Sequence, residues 1–166
     1  MLTIVLVKWS PDIEDFVLAN QSSTLYTTYN LVMILMQRAF LPSSIVLLST
    51  PRDLRPIPPP PGLAHALTAR AVSINAAKAI SGILTTVHKR ALSNVPLLLI
   101  SAEIAAAVLC IDCWIIKARE GTGPTRDGRL APAVALTIES YMQDITSLLA
   151  ALRWAAPRWE TAQEKL

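Results

Sequence analysis

Apolar residues recur every three or four positions through long stretches of this chain, a spacing that places side chains on one face of a helix. The first stretch follows residues 21–24, a polar run of good N-cap residues, and it ends before Pro42. Because residues 31–35 are also apolar, this helix is predicted to be central in the core and to pack on the last long helix. Its repeating residues are Tyr26, Tyr29, Met33, Met36 and Phe40.

A second helix is predicted over residues 63–90, with weakest support near Gly82. One side carries Val72, Ala76, Ile80, Ile83 and Val87. The opposite side carries Asn75, Lys78, Gly82, Thr85 and Lys89. Two such sides are typical of an amphipathic helix at the protein surface.

Two further helices follow. Ser93 or Asn94 can cap a helix that has Pro96 in its first turn and runs to about residue 119. Pro157 separates the last long helix from a short terminal helix that contains Trp159 and Leu166. The apolar face of the last long helix comprises Ile138, Tyr141, Met142, Ile145, Leu148, Leu149 and Leu152.

The segments between these helices have loop compositions. Residues 49–62 include the sequence PRDLRPIPPPPG, whose prolines favour an extended conformation, so this segment is predicted to be an irregular or mobile interhelical loop. An alternative function for it is a ligand for an aromatic groove in a partner. Residues 120–129, rich in glycine and charge, are predicted to form an exposed loop.

The composition supports a single all-α domain. The 166 residues are 52% hydrophobic and 16% charged, which argues against disorder. Aromatic residues make up 5% and there are only 5 glycines, so the core is expected to be aliphatic and hairpin turns are not indicated. We therefore predict an irregular helical bundle over residues 1–166, with the Pro-rich loop between two helices.

Charge and cysteine usage narrow the function classes. The net charge is +3, but the excess lies mainly in residues 63–130, so only weak, salt-labile DNA affinity is expected. Cys110 and Cys113 are the only cysteines and no cleavable signal is recognised, which indicates a reducing, intracellular compartment. An apolar run at residues 95–111 contains Glu103 near its centre, which favours a buried core helix over a membrane span.

The sequence offers few candidates for chemistry. Cys110 and Cys113 form a single CxxC inside an apolar helix and are predicted to be two core thiols, not a zinc or redox site. His65 and His88 lie near opposite ends of one helix and cannot share a metal. Glu103 and Asp112 are possible buried carboxylates, but nine residues of helix place them on opposite faces. No catalytic residue, metal ligand or cofactor-binding residue is therefore assigned, and no enzyme activity is expected.

The order of several sequence landmarks indicates a protein family more specifically than the composition does. Residues 8–13, KWSPDI, precede a helix that ends YNLVMILMQRAFL at residues 29–41. An Ala-rich helix at 69–87, a Pro-led apolar helix at 96–114 and a tail at 148–166 with two tryptophans follow. This order resembles the fungal-specific transcription factor domain, the middle homology region of zinc-cluster transcription factors, in its C-terminal part. Ala39 departs from the family's Arg-Pro-Phe element, and Ile13 stands where Leu-Pro is usual.

The resemblance implies a nuclear regulatory domain that modulates transcriptional activation in response to a small metabolite. In that family an N-terminal six-cysteine cluster holds zinc and contacts DNA, so this chain is not expected to bind specific DNA sequences or zinc itself. Its expected partners are other parts of a transcription factor, co-regulators or a second copy. The family's N-terminal half is not present here, which predicts an exposed apolar patch.

Two further expectations complete this interpretation. The competing hypothesis from another class is a small helical membrane-associated protein, which requires residues 95–116 to insert. If the first helix is central, Phe40→Ala or Met33→Asp is expected to cost about 3 kcal/mol or more.

Overall fold

The structure is a computed structural model that describes residues 16–41, 62–89, 96–120 and 132–156. These residues form four α-helices and contain no strand. The prediction of an all-α bundle is confirmed. The helices are α1 (Phe16–Gln37), α2 (Leu63–Lys89), α3 (Pro96–Glu120) and α4 (Pro132–Ala155).

Helix α1 begins earlier than predicted. It starts at Phe16, so the polar run that was expected to cap it lies inside the helix. The hydroxyls bond to the preceding turn instead: Ser22 Oγ donates to the Ala19 carbonyl at 3.0 Å and Thr24 Oγ1 to that of Asn20 at 2.9 Å. The helix ends at Gln37, whose carbonyl accepts the Phe40 N–H at 3.0 Å in a closing turn.

Helix α2 is amphipathic as predicted: Ala76, Ile80 and Ile83 on its apolar side are buried, and Asn75 and Gly82 on the opposite side are exposed. It packs against each of the other three helices. Ile80, Ile83 and Leu84 fill the core, while small residues allow close approach of the neighbouring helices. Alanine and serine are weak signals in a hydrophobic pattern, so the pattern hid most of the buried face. The fully or nearly fully buried small residues are Ala66, Ala69, Ser73, Ala76, Ala77 and Ser81.

The prediction of a central α1 is wrong. Its buried face includes Leu31 and Ile34, and it packs on α2 and, less extensively, on α3 rather than on α4. Of the five repeating residues, Tyr26 and Met33 are partly buried against the core. The other three, Tyr29, Met36 and Phe40, are 58%, 65% and 47% exposed. The apolar positions surround α1, so spacing alone did not identify the buried side.

Helices α3 and α4 agree better with the sequence. The end of α3 lies one residue beyond the predicted one. In α4, five of the seven predicted residues are buried, Leu149 is partly buried and Met142 is 50% exposed. The landmark at residues 8–13, Pro157 with the predicted short terminal helix, and the predicted loops at 49–61 and 121–129 lie outside the described residues.

A glycine marks the start of α2. Gly62 has φ +86°, a backbone conformation that side chains disfavour, and its carbonyl accepts the Ala66 N–H at 2.9 Å. Gly82, the predicted weak point, lies exposed within a continuous helix.

Candidate functional site: a buried polar cluster

The main polar contact inside the bundle joins α2 to α3. Arg70 Nε donates a hydrogen bond to Asp112 Oδ1 at 2.5 Å, and the two side chains form an ion pair. The Asp112 side chain is 3% exposed and that of Arg70 is 21% exposed. A carboxylate this deep in an aliphatic bundle is costly unless a cation balances it, so the pair depends on the packing of α2 against α3.

Tyr141 adds α4 to this cluster. Burial, and then the negative charge of Asp112, raise the pKa of the Tyr141 phenol to about 12. On the other side, Lys78 Nζ lies 4.7 Å from the centroid of the Tyr141 ring, within cation–π range. Burial and the Asp112 carboxylate therefore keep the phenol neutral, against the opposing effect of the Arg70 guanidinium.

Further polar contacts tie α2 to α4. Ser81 Oγ donates to Asp144 Oδ1 at 3.0 Å, and Lys78 Nζ donates to Ser140 Oγ at 3.3 Å. Hydrogen bonds between defined partners fix the register of the two helices, which aliphatic contacts alone leave loosely specified. We regard these contacts as structural, because each polar group bonds to a side chain on a different helix.

A cavity of about 30 Å³ adjoins the ion pair. Ser73 Oγ and Asp112 Oδ2 are buried beside it and have no hydrogen-bond partner in the described part of the chain. Its volume suits one or two water molecules and is far below that of a metabolite site. The remaining lining residues are Leu41, Arg70, Ile74, Val108, Ile111 and Ile115.

The two cysteines have different environments. Cys113 is buried, and burial, followed by the neighbouring Cys110 and Asp112, raises the pKa of its thiol. Cys110 is exposed, so the prediction of two core thiols is wrong for this residue. Three residues of helix leave the two thiols about 60° apart around α3, which is enough to bury Cys113 while Cys110 lies beyond the edge of the buried face.

The remaining candidates do not converge. His65 is exposed and Glu103 is partly buried, while the side chain of His88 lies outside the described residues. Asp112 is buried, as its position in an apolar helix suggested. Across the four described segments, no group of three His, Cys, Asp or Glu residues is placed to hold a metal ion.

Sequence reasoning found Asp112 but missed its partners. Arg70 is 42 residues away from it, and Tyr141 lies on a third helix. The sequence does indicate that a basic partner exists, because an aspartate buried in a strongly apolar helix requires a counter-charge. Which of the chain's 15 basic residues supplies it depends on the register between helices.

The raised pKa of Tyr141 predicts a specific loss of stability in alkali. The unfolded phenol ionises near pH 10.0 and the folded one near 12, so the folded state retains its proton as pH rises through this window and the free energy of unfolding falls. Below pH 10.0 this contribution is fully present. Between the two values the wild type is expected to lose about 2 kcal/mol more than Tyr141→Phe.

Urea unfolding of the two proteins at a series of alkaline pH values measures this difference directly. Tyr29→Phe is the matched control for the loss of a tyrosine hydroxyl, because Tyr29 is exposed and lies on α1. Identical pH dependence of the wild type and Tyr141→Phe would contradict the placement of Tyr141 beside Asp112.

Comparison with known proteins identifies no relative. No family model, curated protein or solved structure matches this chain. A functional proposal is therefore based on the residues and the geometry of the bundle.

Proposed function

We propose that this chain is a regulatory domain of a fungal zinc-cluster transcription factor, one that restrains transcriptional activation through contacts with other protein surfaces. It acts in the nucleus, without catalysis and without contacting specific DNA sequences. The ordered landmarks that resemble the middle homology region support the transcriptional part of the proposal. The observation that carries the regulatory part is the large amount of apolar surface on α1.

That surface is unusually concentrated. Thirteen large apolar side chains in the described residues are at least 40% exposed, and seven of them lie between Leu18 and Phe40. Single exposed apolar residues are normal on soluble proteins, but clustered ones mark interaction sites. Such a surface suits a domain whose role is to bind protein.

The polar cluster supports a structural role within this domain. Arg70, Asp112 and Tyr141 connect three helices, and the adjoining cavity suits water. A response to a small metabolite, which the family resemblance implies, therefore requires a larger site than this cavity. We place the regulatory contacts on the outside of the bundle, where partners and co-regulators have access.

An artificial activator tests the restraint. The chain is inserted between an unrelated DNA-binding domain and an activation domain, and reporter transcription is measured at equal protein abundance. Several-fold lower transcription than with a Gly/Ser spacer of the same length is expected, since a folded apolar surface can engage the activation segment or a co-repressor. Equal transcription from the two activators would contradict the proposal.

The second candidate function is membrane association, and one observation favours it. Residues Leu97–Ala118 of α3 are long and apolar enough to cross a bilayer, with a mean hydropathy of 2.1. However, 44% of that stretch is buried within the bundle, and it includes the ion-paired Asp112. A core helix gives the same pattern, and a charged residue in a span costs several kcal/mol. Carbonate-resistant pelleting of the full chain would favour this candidate.

A further inference from the structure

The outward side of α1 carries a regular pattern that the bundle does not use. Leu25 and Val32 are one heptad apart, and so are Tyr29 and Met36, and successive members are three or four positions apart. These four side chains are 66%, 45%, 58% and 65% exposed. We call them the outer seam of α1. A seam with this spacing is the pattern by which one helix pairs with another in a coiled coil.

We infer that the outer seam is a self-association surface, and that it pairs with the same seam of a second copy of this chain. The inference concerns the same apolar surface of α1 on which the proposed regulatory function rests, and it names a second copy as the partner there. A monomeric chain that still restrains the artificial activator would overturn this inference and leave the proposed function standing.

The charge pattern of α1 favours a second copy. None of its 22 residues is acidic, basic or histidine. We take the two seams to be parallel, so that each seam residue lies near the twofold axis and faces the same residue of the other copy, and like charges there are a cost. Here two identical helices meet without repulsion, whereas an acidic or basic partner finds no opposite charge along α1.

The available area is sufficient for a dimer. Leu35 and Phe40, which are 42% and 47% exposed, extend the apolar surface next to the seam. Six such side chains at about half exposure present on the order of 600 Å² per copy, or on the order of 1,200 Å² in a pair, which reaches the range of specific interfaces.

Dimerisation also loses little conformational entropy in α1. A seam of two heptads is too short to hold free helices together, since an isolated helix of this length is only marginally stable. In this chain α1 is already held by its contacts with α2 and α3, so dimerisation does not have to order its backbone.

Sedimentation equilibrium of the full chain at micromolar concentration tests the inference. The expected mass is that of two chains of 18.0 kDa each. Leu25→Lys is expected to give a monomer, because two buried lysines meet near the twofold axis. Leu136→Lys is the matched control: Leu136 is also 66% exposed, but it lies on α4, so this variant should remain a dimer.

Mixing supplies a second test. Leu25→Glu alone should be monomeric, and an equal mixture of Leu25→Lys and Leu25→Glu should restore the dimer by placing opposite charges across the seam. Circular dichroism verifies that each variant is folded, and Met36→Lys, at a position 65% exposed, replaces Leu25→Lys if that variant is not.

Several results would overturn the inference. They are a monomeric wild type, a dimer that survives Leu25→Lys, a dimer that Leu136→Lys disrupts equally, and a charge mixture that stays monomeric. Binding of a monomer to phosphatidylcholine and phosphatidylserine vesicles through the seam would replace the second copy with a lipid surface.

Discussion

Leu148→Ala is expected to lower the free energy of unfolding by about 3–4 kcal/mol. Leu148 has no exposed surface and belongs to the aliphatic core where α4 packs on α2 and α3. Truncation removes the transfer free energy of the buried methyl groups and leaves a cavity between helices that cannot fully close. The loss is a large part of the stability of a single domain.

Leu136→Ala is the matched control on the same helix. Leu136 is 66% exposed, so its truncation should change the free energy of unfolding by less than about 0.5 kcal/mol. Urea denaturation followed by circular dichroism measures both. Equal destabilisation by the two variants would show that α4 does not present Leu148 to the core.

The second large effect is expected for Asp112→Ala, at about 3 kcal/mol. This change leaves the Arg70 guanidinium partly buried without its counter-ion. It also enlarges the cavity next to Ser73. Glu139, an exposed carboxylate on α4, is the control, and Glu139→Ala is expected to cost less than about 0.5 kcal/mol.

A double variant separates the charge from the packing. Replacing both partners, with Arg70→Met and Asp112→Leu, removes the buried charges together and fills the space with apolar atoms. It should be more stable than Asp112→Ala, because no unpaired charge remains. A double variant that is less stable than Asp112→Ala would indicate that the ion pair itself contributes more than its desolvation cost.

These two positions replace the sites that the sequence suggested for large effects. Phe40→Ala was expected to cost about 3 kcal/mol, but Phe40 is 47% exposed, so that expectation is wrong. Met33 is partly buried against the core, and Met33→Asp still places a charge there.

The helix content could be predicted because prolines and polar runs divide the chain into periodic segments, and the bounds of α2 and α3 follow almost to the residue. Which helix is central could not be predicted in the same way. Helix α1 is apolar on several sides, whereas α2 buries alanine and serine. Burial of small residues depends on how closely neighbouring helices approach, which a single-helix pattern does not contain.

The polar cluster, too, could be predicted within one helix but not between helices. The apolar helix makes a buried carboxylate possible at Glu103 or at Asp112, and the structure buries Asp112 and leaves Glu103 partly buried. Its pairing with Arg70 and its effect on Tyr141 depend on the register of three helices that are distant in sequence.

The central claim is that the folded domain restrains an activator, and the artificial activator described above tests it most directly when it carries the α4 variants. Reporter transcription is compared for the wild type, Leu148→Ala and Leu136→Ala at equal protein abundance. The temperature lies above that at which Leu148→Ala unfolds and below that at which the other two proteins unfold. The account predicts low transcription with the wild type and Leu136→Ala and released transcription with Leu148→Ala. Equal transcription from all three would contradict it.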